Sequence, residues 1–276
     1  MSKRQEPFPD LSPATIVIFD IDGVLRDVSG SYRRAIADTV EHFTNGAYRP
    51  SQSDIDALKA EGIWNNDWDA SQELIYRYFE AQGRERSQLN IEYDALVAFF
   101  QRRYRGPDDA QWTGYICDEP LLLHVSYLEN LSQAGIAWGF FSGATAASAR
   151  FVLETRLKLH DPVLVAMEDA PSKPDPMGLL KTVKQLEARY HIDSPAPVFY
   201  AGDTVADLQT VRHANHIDAS RSWIGVGILP PHAHHPPEYR ESYAARLQAA
   251  GAAIVLNTIE ELTPQQIESL LIESFA

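Results

Sequence analysis

The feature that most constrains this chain is the stretch Ile16-Val17-Ile18-Phe19-Asp20-Ile21-Asp22-Gly23-Val24-Leu25, an apolar run that ends in two carboxylates two residues apart, with a glycine directly after them. The β-branched and aromatic residues predict a buried strand over about Thr15 to Asp20, and Gly23 predicts the turn that ends it. In open α/β folds ligands bind beyond the carboxyl ends of the strands, which places Asp20 and Asp22 at the mouth of a site. At a side-chain period of two, both acids point to the same side of an extended strand. Like charges this close repel, and a divalent cation relieves the repulsion. The alternative for the pair in isolation is a turn carrying two solvated acids.

A chain of 276 residues has room for one large α/β domain or for a core with an inserted smaller one. No apolar run reaches the roughly 18 residues of a membrane span. The basic start, Met1 to Pro7, leads into no apolar stretch of the kind a secretory leader has. With a single cysteine, Cys117, there is no intramolecular disulfide, and a cytoplasmic location is the expectation. The formal net charge of −14 argues against nucleic acid and anionic membrane as partners. An anionic substrate then needs a local cationic group or a metal.

Residues 1–13, with Pro7, Pro9 and Pro13, read as a loosely held arm. Beyond Val28 the apolar spacing becomes helical, through Tyr32, Ala35, Ile36, Thr39, Val40 and Phe43, and Gly46 closes that helix. Ser51 or Ser53 starts another. Helical patterns continue to Tyr115 with no convincing strand, which predicts a helical insertion over 27–115. Within it, Gly62 to Asp69 breaks the pattern with two tryptophans among amide and acid groups, and Ser71 is the expected cap of the helix that carries Leu74, Ile75, Tyr78 and Phe79. That break has two readings: internal packing with turn-forming asparagines, or a substrate-facing loop.

Further apolar runs follow. Ile136 to Phe141 ends in Ser142-Gly143, a pair able to hold a phosphate or to cap a helix. Pro162 to Met167 leads to Lys173, held between prolines on a segment that refuses helix. Val198 to Ala201 ends in Gly202-Asp203, with Asp207 one helical turn later. Ile224 to Ile228 and Ala252 to Leu256 complete the strands, with a closing helix over Pro264 to Leu271. The cluster Pro230 to Pro237, with His232, His234 and His235, has no accompanying cysteine and reads as a surface loop rather than a metal site.

In a parallel sheet these strand ends meet on one edge. Together they supply a carboxylate nucleophile, a second carboxyl for proton transfer, a hydroxyl, an ammonium and further acids for a cation, an inventory suited to phosphoryl transfer. At this point the sequence resembles a known family. Phe19 to Leu25, Phe141-Ser142-Gly143, Lys173-Pro174-Asp175-Pro176 and Gly202 to Asp207 look like the four motifs of the haloacid dehalogenase-like (HAD) hydrolases, in order, and the helical insertion is similar to the cap of the family's subfamily I. Ala252 to Leu262 is similar to the family's closing strand and helix.

The resemblance implies a Rossmann-like parallel sheet core flanked by helices, over 1–26 and 116–276, with an all-helical cap over 27–115. It implies that Asp20 attacks phosphorus, that Asp22 carries the proton, and that Ser142 and Gly143 hold phosphate oxygens while Lys173 neutralises charge. It also implies Mg²⁺ bound by Asp20, the Asp22 backbone carbonyl and Asp203, with Asp207 bound directly or through water. An acid at position 22 favours phosphate esters over carbon–halogen bonds. Specificity falls to the cap, where Arg33, Arg34, Trp64, Asn65, Asn66 and Asp67 are the candidates. The expected substrate is a small polar phosphomonoester: a sugar phosphate, phosphoglycolate, or an amino-alcohol phosphate such as histidinol phosphate. A phosphomutase and a catalytically silent binding protein are the alternatives.

Overall fold

A computed structural model describes residues 15–64, 66–108, 110–193 and 195–274. The proline-bearing arm and Asn65 therefore lie outside the described residues. The chain divides into two compact units, one formed by the chain up to Arg26 and from Leu121 onward, the other by Asp27–Pro120.

The first unit is built on six parallel strands: β1 (Thr15–Phe19), β2 (Ile136–Phe141), β3 (Leu164–Val165), β4 (Val198–Gly202), β5 (Trp223–Ile228) and β6 (Ala252–Leu256), in the order β3-β2-β1-β4-β5-β6. β1 is buried along its whole length, as its apolar run requires of a strand covered on both faces. Its side chains alternate between two cores. Val17 and Phe19 join Phe140, Phe199 and Ile267, while Ile16 and Ile18 join Leu179, Val183 and Tyr200. Chain order and strand order part company at β1. The chain moves outward through β2 and β3, then returns to β4 on the other side of β1, so the crevice between the ends of β1 and β4 is the topological switch point.

Among the described residues the second unit holds four α-helices, α1 (Tyr32–Phe43), α2 (Gln52–Lys59), α3 (Asp67–Ala81) and α4 (Tyr93–Tyr104), with α1 packed on both α3 and α4. Two expectations need correction. Helix α3 starts at Asp67, and its cap is Asn66, whose side chain accepts from the N–H groups of Trp68 (2.8 Å) and Asp69 (3.3 Å); Ser71 lies inside the helix. The boundary comes at Pro120 rather than 115, because Tyr115–Asp118 form a 3₁₀ turn belonging to the helical unit. There the Tyr115 hydroxyl donates to Asp38 (2.7 Å) and the Arg34 guanidinium lies over the Tyr115 ring.

The helices of the first unit are α5 (Val125–Gln133), α6 (Ala146–Arg150), α7 (Met177–Tyr190), α8 (Val205–Ile217), α9 (Pro237–Ala250) and α10 (Pro264–Ser274). No helix among the described residues is long and apolar enough to cross a membrane.

Candidate active site

Asp20 is the first residue after β1, and its N–H donates to the Ala201 carbonyl of β4 (2.8 Å), which ties it to the switch point. Asp203 is the first residue after β4, and Asp207 lies in the first turn of α8. All three carboxylates are buried, and each offers an oxygen within 4.8 Å of the others. The backbone allows this approach because two neighbours lack side chains. A Cβ on Gly23, which has φ +74°, would stand 2.1 Å from Asp203 Oδ2, and one on Gly202 would stand 2.3 Å from Asp207 Cβ.

Lys173 is the counter-charge. Its Nζ lies 2.9 Å from Asp20 Oδ1 and 2.7 Å from Asp207 Oδ1, with the rings of Phe141 and Tyr200 beneath it at 5.1 and 5.4 Å. Burial opposes the charge on Lys173, yet its two carboxylate partners outweigh that and hold it above the usual lysine range. Burial also acts against Asp207, but Lys173, together with hydrogen bonds from Thr204, holds that carboxyl below its usual range. Asp20 goes the other way. Its burial, with Asp207 and Asp22 adding to it and Lys173 opposing, pushes the carboxyl up to about 7.

The two oxygens of Asp207 are well occupied. Oδ2 accepts from the Thr204 N–H (3.0 Å) and hydroxyl (2.6 Å) in the capping box of α8, and Oδ1 accepts from Lys173 and the Tyr200 hydroxyl (3.0 Å). By contrast, Asp20 Oδ1 is buried and has no donor in hydrogen-bonding geometry, although Lys173 lies within ion-pair distance. A buried carboxylate oxygen left in that state, with two further acids beside it, is the environment a small hard cation occupies. The residues present fit a divalent metal.

Asp22 stands apart from this group. Its Oδ1 accepts from Arg26, four residues on. Ser142 follows β2, the neighbour of β1, and is buried; its Oγ accepts from the Ala144 N–H (3.1 Å), and Gly143 lies in the same turn. The expected site residues of the first unit thus sit at the ends of β1, β2 and β4 and in the loop after β3.

The candidates in the helical unit fare differently. Arg33 is buried and bonded to Asp56 and to the Gln52 side chain (2.6 Å), an internal ion pair where a substrate contact was expected. Trp64 donates to Glu61 (2.7 Å), Asp67 accepts from Lys59 (2.8 Å), and Asn66 caps α3, so these three residues are engaged within their own unit. Arg34 is exposed and carries no ion pair among the described residues. The histidine cluster is no part of the acidic group. Pro231–Ala233 form a 3₁₀ turn, and His234 Nε2 lies 3.0 Å from the Leu229 carbonyl oxygen.

Tyr200 and Arg26 were not singled out from the sequence. A hydroxyl within an apolar strand run must find a partner when buried, and an arginine four residues from an acid has one within reach; these were the available signals.

The family model described as haloacid dehalogenase-like hydrolase matches residues 14–215. A curated relative, the imidazoleglycerol-phosphate dehydratase of Phytophthora nicotianae, is 29% identical over 253 residues, covering 89% of this chain and 50% of that protein. The chain thus spans about half the length of that relative. Among solved structures, a phosphonoacetaldehyde hydrolase-like protein from Oleispira antarctica matches with TM-score 0.65 and 16% identity over 98% of this chain and 96% of its own. Phosphatase Tt82 from Thermococcus thioreducens matches with TM-score 0.58 and 20% identity over 77% of this chain and 93% of its own.

Proposed function

Since the chain belongs to the haloacid dehalogenase-like hydrolases, we propose that it is a Mg²⁺-dependent phosphatase acting on a small polar phosphomonoester through an aspartyl-phosphate. The observation that carries this reading is the buried group at the switch point, with Asp20, Asp203 and Asp207 within 4.8 Å of one another and Lys173 against two of them.

Asp20 and Asp203 would hold the cation, with the Asp22 carbonyl and with Asp207 directly or through water. When bound, Mg²⁺ supplies positive charge that offsets the repulsion between an anionic ester and an anionic nucleophile. Asp20 attacks phosphorus; the Asp20 O–P bond forms as the bond to the leaving oxygen breaks, and Asp22 gives that oxygen its proton. Asp22 then takes a proton from the water that attacks phosphorus, and cleavage of the Asp20 O–P bond frees phosphate. Lys173 holds Asp20 in place and balances the charge that gathers on the phosphoryl oxygens. Ser142 and Gly143 bind those oxygens. Arg34 is the exposed cationic candidate for an acidic group on the substrate.

The dehydratase that this chain resembles is named for imidazoleglycerol phosphate, so imidazole-bearing phosphomonoesters join sugar phosphates and phosphoglycolate in a first panel. Replacing Asp20 by Asn should abolish Mg²⁺-dependent phosphate release, by at least about 10³-fold, while near-native thermal unfolding is retained. Appreciable residual turnover would exclude the covalent scheme. Comparing free phosphate with isomerised ester separates the phosphatase from a phosphomutase.

A further inference from the structure

We propose that Arg26 is a positioning residue for the proton carrier: it clamps one oxygen of Asp22 and thereby aims the other at the leaving group. The inference rests on the phosphatase reading given above. Arg26 is fully buried at 0% exposure, on a chain whose other large buried side chains are nearly all apolar. Its Nε and Nη2 both reach the same atom, Asp22 Oδ1, at 2.7 and 2.5 Å. Asp22 Oδ2 makes no hydrogen bond among the described residues, and the Asp22 side chain keeps 21% of its surface accessible.

The backbone holds both partners in register. Gly23 N–H donates to the Arg26 carbonyl (3.0 Å), and the N–H groups of Leu25 (2.8 Å) and Arg26 (3.3 Å) converge on the Ile21 carbonyl. Arg26 also bridges to Leu121, where the chain re-enters this unit. The loop between the two residues is therefore short and internally bonded.

A guanidinium presents its N–H groups in a rigid plane, so two of them on one oxygen resist rotation of the carboxylate about its Cβ–Cγ bond. The second oxygen then keeps one direction. General acid catalysis depends on such aim, since the proton must move along the breaking bond.

The test uses the full chain with Mg²⁺ and two esters that differ in their need for a proton. The alkoxide leaving group of 2-glycerophosphate requires one, whereas 4-nitrophenolate departs without it. In single turnover, Arg26→Met should slow phosphoryl transfer from 2-glycerophosphate by roughly 100-fold, a loss typical of general acid catalysis, and slow 4-nitrophenolate release only a few-fold. Arg26→Lys, which keeps the buried charge but loses the planar fork, should show the same selectivity with a smaller loss, and it carries the test should the methionine variant not fold. In an Asp22→Asn background, Arg26→Met should cause no further loss with 2-glycerophosphate. Equal losses on both esters, or a full additional loss in that background, would overturn the inference and leave Arg26 a purely structural residue. A wild-type protein that turns over neither ester would instead overturn the phosphatase reading, and this inference with it.

Discussion

Asp20 and Asp207 illustrate how two aspartates of one site come to differ in protonation. Both are buried, but Asp207 has four hydrogen bonds to its carboxylate, whereas Asp20 Oδ1 has none in good geometry. Asp20, raised from 3.8 to about 7, favours folding when protonated; that contribution is complete below pH 3.8 and is lost as pH rises through about 7. Asp207, whose carboxyl is depressed, contributes in the opposite window: above its ordinary value of 3.8, and lost on acidification. A cation competes with the proton on Asp20, so Mg²⁺ affinity should rise with pH, approaching tenfold per unit below about 7 and levelling off above it. Calorimetric titration across that range checks this, and a pH-independent affinity would remove Asp20 from the ligand set. Asp20 and Asp203 were legible in the sequence because each follows an apolar run at a strand end, and Asp207 because it stands one helical turn beyond Asp203. Tyr200 and Arg26 were not, since Tyr200 bonds Asp207 in the helix after its strand and Arg26 bonds Asp22 across a turn whose shape the sequence does not state.

Among the elements, helix starts were the least legible. Ser71 has the chemistry of a cap, but a cap also needs the preceding backbone to be extended, and that condition is met at Asn66, with φ −76° and ψ +123°. Ser71 Oγ instead donates to the Asp67 carbonyl (2.7 Å) inside the helix. Replacing Asn66 by Ala should destabilise the helical unit by about 1 kcal/mol, and Ser71→Ala should cost less. Chemical denaturation followed by tryptophan fluorescence reads both, with Trp64 and Trp68 beside the cap; a larger loss at Ser71 would restore the later helix start. The strand β3 was also expected to be longer. It lies at the sheet edge and stops at Val165, because Met167–Asp169 wind into a 3₁₀ turn in which Asp169 accepts from the Ala166 N–H (3.0 Å).

For the whole molecule, the division into two units puts the candidate metal ligands in one of them. The grouped acids all lie in the unit formed by the chain up to Arg26 and from Leu121 onward. Mg²⁺ alone should therefore raise hydrogen-exchange protection at the ends of β1 and β4 and the start of α8, through the linkage between binding and folding. Protection across α1 to α4 should stay unchanged, and a gain confined to those helices would place the cation elsewhere. The sequence by itself determined the strand ends, the helical insertion and the inventory of charges, because apolar runs and period are local and each acid marks the point where a run meets solvent or a ligand. Only the tertiary structure decided that Asp20 and Asp203 face each other across the switch point, that Lys173 is shared by Asp20 and Asp207, and that Arg33 is used internally. Those outcomes depend on strand order and on which buried charge finds which partner, and neither is a property of any single stretch. The opening pair of acids shows the division: their spacing marked a site, while their separate environments, Lys173 beside one and Arg26 beside the other, came from the fold.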